Sequence, residues 1–207
     1  MKGNKKKGHY QELKKEVIKL AAELMYFDGV KEYLTAKRMA SKQLGIDIFP
    51  SNTEIRDAVD QLAKLYEPNR SGNLEQMRRV ALEMMEILAA FHPRLIGSVL
   101  TGSIKSTSDI DLHVFTEEYE EIMRVLDEHG LEYNFEMVTT RKNNEIRDFP
   151  HIYVYKNGHT IELSIYEPSE MRVRQRSSIT GKPMEYATIA KLRKMLIEGE
   201  QHETLVS

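Results

Sequence analysis

Two aspartates one residue apart, Asp109 and Asp111, are the first chemistry this chain offers. Side chains alternate along an extended segment. Asp109-Ile110-Asp111-Leu112 therefore puts both carboxylates on one face and Ile110 and Leu112 on the other. Adjacent carboxylates repel and resist burial, and a hard divalent cation with oxygen ligands relieves both penalties. Acidic pairs also decorate solvated strand ends, so this pair takes its meaning from what precedes it. Ile96-Gly97-Ser98 lies upstream, with ten residues (99 to 108) between Ser98 and Asp109. Glycine admits a close backbone approach, and free N–H groups beside a hydroxyl are what phosphate oxygens bind.

This order of hydrophobic residue, Gly-Ser, spacer and Asp-hydrophobic-Asp-hydrophobic resembles the DNA polymerase beta-like nucleotidyltransferase superfamily. Ser108-Asp109-Ile110-Asp111-Leu112 is especially similar to its small, minimal members. The resemblance covers about residues 95 to 166. A second pair, Gly102-Ser103, leaves only five residues before Asp109, so Gly97-Ser98 is taken as the motif and Gly102 as a turn glycine within it.

The resemblance implies an α+β fold: a nucleotidyltransferase-like mixed β-sheet with flanking helices over 93–207, preceded by an all-α region over 1–92. It implies that Asp109 and Asp111 hold two Mg²⁺ ions, with Mn²⁺ as the alternative. Two such ions about 3.5–4 Å apart stabilise the attacking and leaving oxygens of an in-line displacement. The substrate would be a nucleoside triphosphate, with ATP the first expectation, and pyrophosphate would leave as a nucleoside monophosphate passes to a hydroxyl acceptor. Gly97 and Ser98 would sit at the phosphates, with Gly102 and Ser103 beside them.

The third metal-binding acid of the superfamily lies on a later strand, often in a hairpin. His151 to Tyr166 carries two alternating β-rich runs around Asn157-Gly158, the strongest short hairpin signal. Glu162 stands on the return run between Ile161 and Leu163, and a charge there needs solvent or a ligand. Glu162 is the first candidate and Glu136 the second; the superfamily more often has Asp at this place. Its small members also commonly carry Arg just after the Gly-Ser, where this chain has Val99-Leu100-Thr101. The missing cation is expected from Arg172, Arg174 and Arg176, which would line one face of an extended segment and fork onto phosphate oxygens. A solvated edge explains those arginines equally well. His113 shares the strand face of the aspartates and is read as a histidine satisfied by its neighbours.

The elements that must position these residues follow from periodicity and stop signals. Leu13, Val17, Leu20, Ala21 and Leu24 mark a first helix ending at Asp28-Gly29, after a basic N-terminal stretch read as a frayed tail. A second helix is expected over about 31–44, stopped by Gly45; its basic face of Lys31, Lys37, Arg38 and Lys42 is read as solvated. Ser51-Asn52-Thr53-Glu54 is a capping box opening a third helix to about Glu67. After an Asn69–Gly72 turn, a fourth over about 73–91 carries a Met-rich core stripe and is expected to pack on the sheet. A helix after Thr116 to His129-Gly130, a strand over Leu131–Thr140 and a loop over Arg141–Asp148 follow. A last helix is expected from Met184 to about Glu198, with a disordered end.

The 207 residues suffice for one sizeable core or two small ones. A net charge of −2 gives no global attraction to nucleic acid or membrane, and the absence of cysteine excludes disulfides and thiolate metal sites. No apolar run reaches membrane-spanning length and no signal peptide is read, so the expectation is a cytoplasmic protein with no membrane partner. Three functions remain: an active nucleotidyltransferase acting on a protein, a small molecule or an RNA end; a catalytically silent nucleotide-binding module; and a nucleic-acid adaptor. Few aromatics and no recognised binding motif argue against the last. The N-terminal helices are expected to offer a protein partner a surface or simply to pad the sheet.

Overall fold

The computed structural model describes residues 2–142, 145–173, 175–177 and 179–206. They form a mixed α+β fold whose chain divides into two compact units, Met1–Arg70 with Arg176–Pro183, and Ser71–Gln175 with Met184–Ser207. The contact boundary near residue 70 thus lies earlier than the 92/93 division drawn from the sequence. Among the described residues no helix is long and apolar enough to cross a membrane.

The first unit is helical: α1 (Lys2–Tyr26), α2 (Tyr33–Leu44) and α3 (Asn52–Tyr66). Its core is Val17, Ala21, Leu24 and Met25 from α1, Ala36 and Ala40 from α2, and Ile55 from α3, with Ile48. The small alanines let the helices approach closely. The capping box forms as expected: the Glu54 N–H donates to Ser51 Oγ at 3.2 Å, and the Ser51 N–H donates to Glu54 Oε2 at 2.9 Å. Lys14, 2.7 Å from Glu54, and the Ser51 bonds hold that carboxyl below its usual range. Gly45 closes α2 in the left-handed conformation at φ +68°. The N-terminal stretch read as a frayed tail instead continues α1 from Lys2, since lysines are good helix formers and Gly8 costs only about 1 kcal/mol.

The second unit is built on a five-stranded sheet of order β1-β2-β5-β4-β3, from β1 (Arg94–Leu95), β2 (Ile110–Phe115), β3 (Tyr133–Lys142), β4 (Glu145–Lys156) and β5 (His159–Tyr166). β2 and β5 run parallel, and the other pairs are antiparallel. Helices α4 (Arg70–Ile87), α6 (Tyr119–Glu128) and α7 (Ile189–Val206) supply the rest of its core, joined by the one-turn helix α5 (Gly97–Thr101). The Met-rich stripe of α4 (Met77, Met84, Met85) is buried in the same core as Ile110, Leu112 and Val114 of β2.

Several expected elements changed. Arg70, Ser71 and Gly72 belong to α4 rather than to a turn, and α4 gives way to a short 3₁₀ turn, Ala89–Phe91. The polar loop expected over 141–148 is strand up to Lys142 and again from Glu145, because its residues pair across the β3–β4 hairpin with Arg141 opposite Ile146. The last helix starts at Ile189, not at Met184, and reaches Val206. Ala187 exchanges backbone bonds with Leu95 at 2.9 Å each way, which takes its backbone groups out of any helix begun at Met184; Thr188 then accepts the Lys191 N–H on its hydroxyl. Pro168–Arg172 is a 3₁₀ turn with proline in its first positions, so Arg172 stands in a turn rather than in the extended segment expected of it.

Candidate active site

β5 lies directly against β2 because both carry an apolar stripe on the same side. Ile110, Leu112 and Val114 pair in register with Ile161, Leu163 and Ile165, and all six are buried. The residues between them must then face the other way. That alternation sets Asp111 opposite Glu162 and His113 opposite Ser164. On the far side of β5, Tyr153 of β4 pairs with Glu162, and Asn134 of β3 pairs with Tyr153. One row of the open face therefore reads Asp111, Glu162, Tyr153, Asn134. Asp109 precedes β2 by one residue, after a turn in which Ser108 Oγ accepts the Lys105 N–H at 3.0 Å.

This crowding shows in the charges. Burial, then Glu162, then Asp109 push the Asp111 carboxyl up to about 7. Burial and the same two acids, with Glu136, also raise the Tyr153 phenol. Among the described residues His151 holds Glu162, its Nδ1 donating to Glu162 Oε1 at 2.8 Å. Glu136 pairs with His151 on β3, three strands from β2, so it stands about 14 Å across the sheet at ordinary strand spacing. Among the described residues no three histidine or carboxylate groups close around a single point.

The Gly-Ser element takes a form the sequence did not suggest. The Ile96 N–H donates to the Asp111 carbonyl at 3.0 Å, and Gly97 then turns at φ +69°. A Cβ on Gly97 would lie 2.1 Å from Asp111 Oδ2, so the carboxylate occupies the space a side chain would fill. The spacer after Gly97-Ser98 begins as α5, with Val99 and Leu100 buried in the core. Gly102 ends α5 at φ +83°, donating its N–H to Ser98 O at 2.8 Å; Ser98 and Ser103 are partly buried. Arg78 of α4 holds the far end of α5, donating through Nε to Val99 O and through Nη2 to Leu100 O, both at 3.1 Å.

Arg172 is exposed at the end of its 3₁₀ turn, Arg176 donates to Gly181 O at 2.8 Å, and Arg174 lies outside the described residues. His113 is buried with its ring centroid 4.6 Å from that of Tyr166. Past it, a cleft of about 270 Å³ is lined by Tyr119, Phe149 and Tyr166 and by Glu117, Asp148, Glu167 and Glu170, an acidic rim that disfavours a triphosphate there. Sequence reasoning passed over His151, Tyr153 and Arg78. Counting back from Asn157-Gly158 would have found the first two, since it sets Tyr153 opposite Glu162 with His151 diagonal to it. Nothing local in the sequence points from Arg78 to the α5 carbonyls.

The carboxylate set is hard, oxygen-only and electrostatically crowded, which suits a divalent cation by chemistry. No family model matches this chain, and no curated protein does. Among solved structures, Cid1 in complex with the UTP analog UMPNPP aligns over 51% of this chain and 36% of its own, at 19% identity and a TM-score of 0.35. A second Cid1 structure, described for RNA terminal uridylyl transferase activity, aligns over 51% and 35% at 17% identity and 0.34. A cytoplasmic RNA terminal U-transferase aligns over 55% and 34% at 18% identity and 0.27. This chain thus spans about a third of each of those proteins, and a likeness of this size carries no function across.

Proposed function

We propose that the protein is a metal-dependent nucleotidyltransferase that moves a nucleoside monophosphate from a nucleoside triphosphate to a hydroxyl acceptor. The observation that carries this reading is the register pairing of Asp111 with Glu162, with Asp109 near enough to help hold the Asp111 carboxyl protonated to about 7. A cluster that costs free energy on its own is accounted for by a cation that needs it. Asp109, Asp111 and Glu162 would hold Mg²⁺ or Mn²⁺, which when bound neutralises phosphate charge and acidifies the acceptor hydroxyl. In the transfer the acceptor oxygen bonds to the α-phosphorus as the bond to the α,β-bridging oxygen breaks. Pyrophosphate takes that electron pair, and the hydroxyl proton passes to water. Ser98 and Ser103 would donate to phosphate oxygens, and Arg172 and Arg174 would add positive charge. Gly97 keeps its backbone clear of any side chain where it meets the Asp111 carboxylate.

One observation favours a catalytically silent nucleotide-binding module: Val99 and Leu100 are core residues, so these two positions after Gly97-Ser98 present no cation. Transfer of α-³²P label from each of the four NTPs, with Mg²⁺ or Mn²⁺, separates the two readings. The protein itself, cell protein and total RNA serve as acceptors. Label and pyrophosphate from the wild type but not from Asp111→Asn support transfer and reveal the base and acceptor. NTP binding by calorimetry without pyrophosphate release supports the silent module, and label that persists in Asp111→Asn overturns the metal assignment.

A further inference from the structure

We propose that His151 is a positioning residue: its Nδ1–H fixes the Glu162 carboxylate in the orientation that a divalent cation shared with Asp111 requires. The proposal rests on the reading of Glu162 as a metal ligand. An ionised carboxylate can only accept, so at 2.8 Å from Glu162 Oε1 the Nδ1 atom carries the proton. That bond occupies one carboxylate oxygen and leaves Oε2 to face a cation. The histidine has little freedom to do anything else. Its backbone is paired on both sides, with Ser164 of β5 and Glu136 of β3, and its side chain is only 13% exposed against 26% for Glu162.

Among the described residues the imidazole is the hydrogen-bond donor that holds the Glu162 side chain beside Asp111 and Asp109. Without it, repulsion would turn the flexible glutamate side chain outward and raise the cost of recalling it on metal binding. A hydrogen-bond donor behind the ligand removes that cost beforehand, which is how outer partners tune metal sites; losing one typically weakens metal affinity about 10–100-fold. A glutamate where an aspartate would be stiffer makes such a support more necessary, because the extra methylene adds a rotatable bond.

Mn²⁺ binding, followed by the electron paramagnetic resonance of free Mn²⁺, reads this without any turnover. The comparison uses the full chain as wild type, His151→Phe, His151→Asn, Glu162→Gln and Asp111→Asn, each with a thermal melt in the absence of metal. His151→Phe keeps a ring but no donor, whereas His151→Asn restores an N–H at the position of Nδ1. The expected result is a loss of about 10–100-fold in Mn²⁺ affinity for the phenylalanine variant and recovery of most of it by asparagine, with similar melting temperatures. If His151→Phe binds Mn²⁺ like wild type while Glu162→Gln does not, the positioning role is overturned and Glu162 stands. Equal losses in the phenylalanine and asparagine variants also overturn it, because the N–H would then be irrelevant. Wild-type affinity in Glu162→Gln, or no binding by wild type, overturns the underlying assignment of the metal ligands.

Discussion

The two faces of the same sheet differ in almost every physical respect although they share strands, twist and register. Behind β2, β5 and β4 stand Ile110, Leu112, Val114, Ile161, Leu163, Ile165, Ile152 and Val154, all buried. In front stand Asp111, Glu162, His151, Tyr153 and Ser164, all partly exposed, with His113 and Phe115 of the same face buried. The rear face supplies the stability and the front face uses it. A slip of one residue between β2 and β5 would send Asp111 into the core, so the apolar residues hold the acids opposite each other without touching them. The strained arrangement in front is tolerated because the burial behind it is worth more.

Four measurements break or sharpen this contrast. The largest effect is expected from Asp111→Asn, which should lower label transfer by on the order of 10³-fold, the scale of losing one electrostatic element of an active site. The same variant should melt no lower than wild type without metal; a clear drop would mean that the front face also stabilises the fold. Next, Leu163→Ala on the rear, between Glu162 and Ser164, should cost about 2–5 kcal/mol in urea unfolding. Transfer per folded molecule should survive, and its collapse would show that the rear residue does more than set register.

Gly97→Ala tests the point where the two regions meet. Its φ of +69° costs an L-residue about 1–2 kcal/mol, and the new methyl displaces the Asp111 carboxylate. A misplacement of that kind should lower transfer by on the order of 10²-fold, and an unchanged rate would detach Gly97 from the site.

The last measurement varies pH. Burial, Glu162 and Asp109 keep Asp111 protonated up to about 7, whereas the unfolded chain ionises near the ordinary value of about 3.9. The folded state therefore binds the extra proton between those values, and stability falls as pH rises from about 4 to about 7, on the order of 1 kcal/mol per unit. Thermal melts of the metal-free protein should show this decline, absent in Asp111→Asn and offset by Mg²⁺. A flat wild-type profile would remove the electrostatic cost assigned to the front face.

Much of this was legible in residues near one another in the chain. Ser51 and Glu54 form their box, Gly45 stops its helix, and Asn157 and Gly158 turn the hairpin at φ +52° and +79°. Each is a backbone event decided within about four residues. What misled was equally local. Residues 184–188 could continue a helix on propensity, but Ala187 is paired instead with Leu95, some ninety positions away. The 141–148 stretch is polar enough for a loop yet pairs with itself across the hairpin. Val99 and Leu100 counted as a lost phosphate contact because nothing nearby in sequence shows that α5 tucks them into the core.

The sequence by itself determined that Asp109 and Asp111 would lie near one face, that Glu162 would interrupt an apolar strand, and where the chain would turn between β4 and β5. Period-2 alternation and left-handed turn residues act within a few bonds and need no partner. Only the tertiary structure decided that β5 lies parallel beside β2 with Glu162 opposite Asp111, that His151 reaches Glu162, and that Arg78 braces α5. Those contacts join residues brought together by burying apolar stripes against a common core, a force that is non-directional along the chain and leaves no local mark of which strand will meet which.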